Sequence, residues 1–267
     1  MSDGILFVEE RKLLIRAFIE EHGKATVMEL CARFGVSSAT IRNDLRDLES
    51  AGVLLRTHGG AMVRSKTGLE PDMGQRAAQM PESKRRIAEA ALGLIEDGDI
   101  IILDTGSTLF ELARLLPRRR DVTVVTNDLS IALQLEECDT VRVLVLGGIV
   151  RRGFHCTLFH DLASRTVLAG LAVDKAFMGV NSFSLDKGAS TPDISHAETK
   201  KLMMSIAAHV VLLFEGRKMG RNSFAQFAPI GEIDTIVTDA LPESDVRALE
   251  ERDIRVVVAG AAPDSPG

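Results

Sequence analysis

The chain has 267 residues, of which 45% are hydrophobic and 26% are charged, and its formal net charge is −6. This length and composition are typical of a globular protein with room for two domains, each with its own hydrophobic core. The acidic balance excludes a protein whose whole surface attracts polyanions, so nucleic-acid binding would need a local basic face.

The N-terminal segment has neither a basic stretch nor a long apolar run, and no segment approaches the roughly 20 apolar residues of a membrane span. We therefore expect no secretory signal and no transmembrane helix. The three cysteines, Cys31, Cys138 and Cys156, lack the paired spacing of metal or redox motifs and are expected to be small buried side chains. Cysteines of this kind indicate a reducing compartment, so the predicted location is the cytoplasm.

Three helices are predicted in the first fifty residues, and a short turn separates the second from the third. Thr26 and Glu29 have the spacing of a capping box at the start of the second helix, and Gly35 ends that helix. Ser37 suits the N-cap of the third helix. Two helices joined by a short turn that contains glycine are typical of a helix-turn-helix, which we place at about residues 25–44.

The third helix combines a hidden aliphatic stripe with a polar N-terminal face. Ile41, Leu45 and Leu48 lie on one side of it, because they are spaced by a helical turn. A helix in the DNA major groove needs small and polar residues in its first turns, with arginine to bind guanine and asparagine to bind adenine. The candidate DNA contacts here are Ser37, Ser38, Ala39, Thr40, Arg42, Asn43 and Arg46. The alternative is an ordinary amphipathic helix with a solvated polar face, which the helix-turn-helix spacing disfavours.

The segment after the third helix predicts a β-hairpin, because two short aliphatic runs flank the turn sequence RTHGG. Such a hairpin forms a wing that contacts the DNA backbone or the minor groove, with Arg56 and His58 at its tip. For His58 alone, an ordinary surface histidine remains an open alternative. Between Ile41 and Arg64 four arginines stand against three acidic residues, so charge by itself supports DNA binding only weakly.

The pattern of the sequence divides the chain into three parts. Residues 1–64 form the predicted winged helix-turn-helix domain. Residues 65–83, which contain Pro71 and Pro81, form a hinge or linker, with a short helix as an open alternative. Over residues 84–267 aliphatic strand patterns alternate with amphipathic helices, which predicts an open, mostly parallel α/β sheet covered on both faces. In its second half the predicted elements include helices at 161–171 and 195–209 and a strand at 210–216.

Four polar or glycine-rich turns follow predicted strands of the larger domain. They are Asp104–Thr108, Thr126–Asp128, Gly147–Gly148 and the turn that carries Lys218. In a parallel sheet the ligand site lies beyond the carboxyl ends of the strands. Glycine and hydroxyl residues at a helix start make a good phosphate cradle. Each turn alone could be ordinary turn chemistry, but four at one edge of a sheet indicate a site for an anionic ligand.

The sequence resembles the DeoR family of bacterial transcriptional regulators over nearly its whole length. The resemblance lies in VMELCARFGVSSATIRNDLRDLESAGVLLRTHGGA, DTGSTLFELA, TVVTND, LVLGG, VDKAFMGV, GASTPDISHAETK and the lysine of EGRKMG. It implies a second domain similar in fold to ribose-5-phosphate isomerase and the CoA-transferases, with a phosphorylated sugar or related metabolite as effector. It also implies a homodimer or homotetramer that binds double-stranded operator DNA and represses a sugar or carbohydrate operon until the effector releases it.

Carried over by position, the resemblance implies the effector-binding residues Asp104, Gly106, Ser107, Thr108, Thr126, Asn127, Gly147, Thr191, Glu198 and Lys218. Three places depart from the family pattern. Many members have a second arginine where this chain has Asn43, so its base preference is expected to differ. Most have Asp-Ser-Ser at residues 215–217, where this chain has Glu-Gly-Arg, and a glycine near residues 160–161. Both of these departures bear on which sugar fits.

A sugar-phosphate isomerase with an attached DNA-binding module is the alternative function. Isomerisation through an enediol needs a base that moves a proton between adjacent carbons, with electrostatic help for the oxyanion. In the isomerases that the larger domain resembles, carboxylates stand where this chain has Met178 and Asn181, so we expect binding without turnover.

A metal site could be assembled only from scattered residues, which are His155, Cys156, His160, Asp161, His196 and Glu198. No pair among them has the spacing of a known metal motif. We therefore expect neither a bound metal nor a cofactor.

Overall fold

The structure is a computed structural model, and it describes residues 8–22, 24–50, 53–57, 59–63, 73–159, 166 and 168–260. The chain splits into two compact units, one of residues 1–69 and one of residues 70–267. Within the described part of the chain, no helix is long and apolar enough to cross a membrane.

The first unit contains the three predicted helices and the predicted hairpin. Its elements are α1 (Val8–His22), β1 (Lys24–Thr26), α2 (Val27–Phe34), α3 (Ser38–Ser50), β2 (Leu54–Thr57) and β3 (Gly60–Val63). The short strand β1 was not predicted. It pairs antiparallel with β3, so that the hairpin becomes a small sheet of order β1-β3-β2. This sheet and the helices enclose one core, which includes Ile15, Leu30, Ile41 and Leu45.

The helices of the second unit are α4 (Met73–Ala78), α5 (Pro81–Leu92), α6 (Ser107–Leu115), α7 (Leu129–Leu135), α8 (Ile194–Met204) and α9 (Glu243–Glu250). Its strands are β4 (Ile100–Leu103), β5 (Val122–Thr126), β6 (Val141–Val145), β7 (Ile149–Arg151), β8 (Cys156–Leu158), β9 (Val173–Gly179), β10 (Ser182–Ser184), β11 (Gly188–Thr191), β12 (Ala207–Leu213), β13 (Ala225–Ala228), β14 (Thr235–Thr238) and β15 (Arg255–Val258).

A parallel sheet of seven strands forms the centre of this unit, in the order β15-β14-β12-β9-β4-β5-β6. Successive strand residues point to opposite faces. Ile101 and Leu103 accordingly pack with α5, α6 and α7, while Ile102 packs with α8 and the antiparallel strands β10, β11 and β13. The prediction of an open, mostly parallel sheet covered on both faces is confirmed.

The prediction that one helix runs through residues 195–209 is wrong at its end. Helix α8 ends at Met204, and β12 begins at Ala207. There Val173 N–H donates to Ile206 O, and Ala207 pairs with Val173 on β9. The ladder with β9 therefore takes the backbone groups that a longer helix would need. Of the predicted helix at 161–171, residues 161–165 and 167 lie outside the described residues, while Thr166, Leu168 and Ala169 are helical.

Several smaller elements of the second unit were not predicted. The hairpin β7–β8 and the sheet of order β10-β11-β13 are both antiparallel. Residues 65–83, predicted as a linker, are described from residue 73 onward, where they hold α4 and the first turn of α5.

Candidate functional site

The turn between α2 and α3 has the local chemistry that the sequence predicts. Glu29 N–H donates to Thr26 Oγ1 at 3.1 Å and Thr26 N–H donates to Glu29 Oε2 at 2.7 Å, which completes the capping box. Gly35 ends α2 in the left-handed conformation, with φ 64°. Thr40 N–H then donates to Ser37 Oγ at 3.2 Å, so Ser37 caps α3. These caps fix the angle at which α3 leaves the turn.

Helix α3 presents its predicted DNA contacts to solvent. Ser37, Ser38, Ala39, Arg42, Asn43 and Arg46 are exposed and Thr40 is half-buried, whereas Ile41, Leu45 and Leu48 are buried. Arg46 Nη1 donates to Asn43 Oδ1 at 3.2 Å, so these two side chains lie together on the surface. We call the exposed face formed by Ser38, Ala39, Arg42, Asn43 and Arg46 the reader face.

The acidic residues of α3 are bound to other parts of the unit. Asp44 is buried and accepts two hydrogen bonds from Arg11 on α1, at 2.7 Å and 3.1 Å. Asp47 forms an ion pair with Lys12 at 2.8 Å. The charge count of the sequence therefore underestimates the positive charge of the reader face, because Asp44 and Asp47 are paired with Arg11 and Lys12 of α1. This pairing cannot be read from a local pattern, since Arg11 and Asp44 are 33 residues apart.

In the wing, Arg56 is exposed and lies on β2. Its backbone N–H donates to Glu49 Oε1 at 3.0 Å, and its Nη1 lies 3.7 Å from Glu49 Oε2. Glu49 therefore ties the wing to the end of α3. His58, the other predicted wing contact, lies outside the described residues.

In the second unit, the four polar turns follow β4, β5, β6 and β12 at the carboxyl edge of the parallel sheet. The turn after β4 begins with Asp104, which is completely buried. Asp104 Oδ2 accepts a hydrogen bond from Gly179 N–H at 2.9 Å and forms an ion pair with Lys200 of α8. Lys200 Nζ also donates to Gly179 O at 2.9 Å. The buried pair thus joins β4, β9 and α8 directly beneath this edge.

The turn after β5 is built around Asp128. Its Oδ1 accepts hydrogen bonds from the N–H groups of Ser130 and Ile131 and so caps α7. Its Oδ2 accepts one from Thr105 Oγ1 at 2.8 Å and a longer one from Gly106 N–H. Burial raises the pKa of Asp128, while these hydrogen bonds act in the opposite direction. Asp128 therefore holds the β4 and β5 turns together.

Several buried side-chain atoms of the carboxyl edge have no hydrogen-bond partner among the described residues. Three of them belong to the part of the edge around β4, β5 and α8, and they are Oδ1 of Asp104, Oδ1 of Asn127 and Nε2 of His196. Burial, followed by the positive charge of Lys200, lowers the pKa of His196 well below its ordinary value, so its ring is neutral at pH 7. The carboxylate and amide oxygens accept hydrogen bonds from hydroxyl groups, and the neutral imidazole nitrogen accepts or donates one according to its tautomer. We call Asp104, Asn127 and His196 the acceptor set.

Basic side chains occupy the β12 end of the same edge. Lys218 Nζ lies 2.6 Å from Oε2 of the buried Glu215. Burial lowers the pKa of Lys218 to about 8, although Glu215 acts to raise it. Burial acts to raise the pKa of Glu215, but the charge and hydrogen bond of Lys218 outweigh this and lower it to about 2. At pH 7 the pair is therefore ionised.

The turn that begins α6 has an unusual backbone conformation at Gly106. Gly106 has φ 145° and ψ 156°, a conformation that is essentially restricted to glycine. Ser107 and Thr108 are buried in the first turn of α6. On the next strands, Thr126 is buried and its Oγ1 accepts a hydrogen bond from Asp128 N–H at 3.0 Å. Gly147, after β6, has open space where a side chain would lie.

Two predicted site residues of the GASTPDISHAETK stretch occupy different environments. Thr191 is buried, and its Oγ1 lies 3.4 Å from His196 Nδ1. Glu198 is 45% exposed and forms an ion pair with Lys201 at 3.0 Å, and no contact joins it to the acceptor set in the described residues. The helical period explains the difference, because His196 and Lys200 are one turn apart and Glu198 faces the other way. That period could have identified His196 and Lys200 from the sequence.

The residues 215–217 that depart from the family pattern are explained in part by packing. A Cβ atom on Gly216 would lie 1.8 Å from Ala240 O, and Gly216 N–H donates to Asp239 Oδ1 at 2.8 Å. Serine, the usual family residue, would not fit this backbone.

Of the residues considered for a metal site, His160 and Asp161 lie outside the described range, and His155 Nδ1 contacts Ser130 Oγ at 2.9 Å.

A winged helix-turn-helix and a parallel α/β unit with a polar carboxyl edge, on one chain, define a DNA-binding transcriptional regulator with a sensor domain. Two family models match the chain. The DeoR-like helix-turn-helix domain matches residues 11–67, and the DeoR C-terminal sensor domain matches residues 79–240. The chain belongs to the DeoR family, as its sequence resemblance predicted.

Similar proteins include transcriptional regulators from several organisms. The HTH-type transcriptional regulator GlpR of Haloferax volcanii is 36% identical over 95% of this chain and 98% of its own length. The HTH-type transcriptional repressor GlcR of Bacillus subtilis is 31% identical over 92% of this chain and 94% of its own. The prediction that this chain is a regulator rather than an enzyme is confirmed.

Among solved structures, a ribose-5-phosphate isomerase in complex with phospho-erythronic acid is 21% identical to this chain. The match covers 52% of this chain and 54% of the isomerase, with a TM-score of 0.39. A likeness of that size supports no conclusion about ligand or activity.

Proposed function

We propose that this regulator represses a sugar or carbohydrate operon and leaves its operator when a phosphorylated sugar binds at the carboxyl edge of the parallel sheet. The reader face of α3, with Arg56 and His58 of the wing, contacts the operator. The proposal also includes a homodimer or homotetramer in the cytoplasm, because helix-turn-helix proteins usually pair to bind two half-sites.

The observation that carries the effector proposal is the pairing of two chemistries along one edge. The acceptor set offers buried acceptors to hydroxyl groups. The start of α6 and the ammonium of Lys218 favour an anion. A sugar phosphate carries both hydroxyl groups and an anion, whereas an unphosphorylated sugar lacks the anion and inorganic phosphate lacks a carbon chain with hydroxyl groups.

The names of similar proteins support a role as a repressor. One relative is named a repressor and another a putative repressor of the aga operon, and both matches extend over more than nine-tenths of this chain.

Asn43 belongs to the reader face, and its amide is suited to two hydrogen bonds with adenine. We therefore propose that the operator has adenine where operators of members with arginine at this position have guanine.

A thermal-shift screen tests the effector proposal, since a ligand that binds only the folded state raises its melting temperature. The full chain is heated with each sugar phosphate, with the matching unphosphorylated sugar, and with inorganic phosphate at equal ionic strength. We expect one or more sugar phosphates to raise the melting temperature well above the values reached with the unphosphorylated sugar or with inorganic phosphate. Equal stabilisation by the unphosphorylated sugar, or none by any sugar phosphate, would overturn the proposal.

A further inference from the structure

Helix α4 places one more basic side chain at the proposed effector site. A Cβ atom on Gly106 would lie 3.6 Å from Nη2 of Arg76, so this guanidinium lies beside the backbone turn that begins α6. Arg76 is half-buried. The resemblance to the family did not include Arg76, and sequence reasoning placed it in the linker. Its position beside Gly106 adds a fork of donors to the proposed phosphate cradle.

Both ends of α4 are bound to elements that border the site. At its start, Met73 N–H donates to Gly153 O at 3.0 Å, in the turn between β7 and β8. At its end, Lys84 Nζ donates to the carbonyl oxygens of Arg76 and Gln79. Helix α4 is therefore held across the carboxyl edge, and Arg76 is held next to Gly106.

The clamp at the end of α4 leads directly to Lys218. Lys84 is buried, and its Nζ lies 3.8 Å from Oε1 of Glu215, whose Oε2 binds Lys218. Arg217 Nη2 donates to Gln79 Oε1 at 3.0 Å, which gives a second link between this turn and the end of α4. The same carboxylate thus serves Lys218 in the effector site and Lys84 beneath α4.

The charges around Arg76 favour an anion between them. The positive charge of Arg76 contributes, after burial, to the lowered pKa of His196 and of Lys218. At pH 7 Arg76 and the ammonium of Lys218 therefore repel each other, and a bound anion relieves the repulsion. Geometry and charge therefore agree on an anion between α4, the start of α6 and Lys218.

We propose that Arg76 binds the anionic group of the effector together with the start of α6, and that this contact transmits effector binding to helix α4. Among the site residues, Arg76 lies nearest in sequence to residues 65–72, which precede α4. This inference rests on the effector site proposed above. Arg76 would be a ligand contact on α4, the helix that follows residues 65–72 in the sequence. An anion that binds Arg76 therefore acts on α4 directly.

The test uses the full chain with inorganic phosphate as the probe, in the variants Arg76→Gln and Arg76→Lys. Arg118→Gln is the matched control, because Arg118 is exposed, pairs with Glu89 at 2.8 Å, and lies beyond the far end of α6. Phosphate affinity is measured from the melting temperature at constant ionic strength, and hydrogen exchange of the amides of residues 73–78 is measured with and without phosphate.

We expect Arg76→Gln to weaken phosphate binding at least tenfold, about 1.4 kcal/mol, and to remove the protection of α4 that phosphate gives the wild type. Arg76→Lys should keep part of the affinity, and Arg118→Gln should match the wild type. If Arg76→Gln does not fold, Arg76→Lys and the wild type decide the question. The inference is overturned if Arg76→Lys binds phosphate as tightly as the wild type and phosphate does not protect the α4 amides of the wild type from exchange.

Affinity within a factor of two of the wild type in Arg76→Gln, or an equal loss in Arg118→Gln, also overturns it, while the effector proposal stands. If the wild type binds neither phosphate nor any sugar phosphate, the effector proposal itself fails. The two failures are therefore distinguished by the wild-type measurement.

Discussion

On helix α3, adjacent residues have opposite environments, and that difference decides their roles. Arg42 and Asn43 are exposed on the reader face, whereas Asp44 is buried against Arg11. Replacing Asp44 would leave a buried guanidinium without its partner, which affects folding before it affects DNA. Replacing Arg42 leaves the core unchanged, so its effect reports on recognition alone.

We predict that Arg42→Ala weakens specific operator binding by about 1–3 kcal/mol, if the guanidinium forks onto a base. Fluorescence anisotropy on an operator selected from random duplexes measures the loss. Arg42→Lys is the matched control, because it keeps the charge and loses the fork. Wild-type operator affinity in Arg42→Ala would show that Arg42 does not contact the operator. Wild-type affinity in Arg42→Lys would indicate a contact to a phosphate rather than to a base.

At Lys218 the prediction concerns pH. Burial holds its pKa at about 8, with Arg76 and Arg217 acting in the same direction and Glu215 against it. The unbound protein therefore loses this positive charge as pH rises through 8, and the affinity for an anionic effector should fall by about tenfold one pH unit above that value. Isothermal titration from pH 7 to pH 9 measures it. Lys218→Arg should give a flat profile, and the same slope in that variant would assign the proton to another group.

Among the helices, caps and turns are the features that the sequence predicts best. Thr26, Glu29, Gly35 and Ser37 all act on neighbours within a few residues, so their roles can be inferred from spacing alone. The start of β12 could not be predicted, because pairing with β9 decides it over a long sequence separation. The turns of the candidate site are likewise local signals in the sequence, whereas the contact of Lys200 with Asp104 is not.

We predict that Thr26→Ala destabilises α2 by about 1 kcal/mol, because Glu29 N–H loses its acceptor. Hydrogen exchange of the α2 amides in the full chain should show a lower free energy of opening by that amount. Thr26→Ser keeps the hydroxyl acceptor and should behave as the wild type. An equal loss in Thr26→Ser would show that the methyl group, and not the cap, stabilises this turn.

At the level of the whole molecule, the reader face and the proposed effector site lie in different units of one chain. An effector that lowers operator affinity tenfold must itself bind the DNA complex tenfold more weakly, a coupling of about 1.4 kcal/mol. A ligand can change the operator affinity only by its different affinities for the DNA-bound and free states. Release from the operator therefore requires a ligand at the carboxyl edge that distinguishes these states.

Operator affinity as a function of sugar-phosphate concentration, compared between the wild type and Lys218→Ala, tests this most directly. Lys218→Ala removes a charge-assisted contact to the anion and leaves the reader face intact. We predict that both proteins bind the operator equally without effector, and that only the wild type releases it at low effector concentration. Release of both proteins at the same concentration would contradict the proposed site, and loss of operator binding by a folded Lys218→Ala would contradict the separation of the two roles.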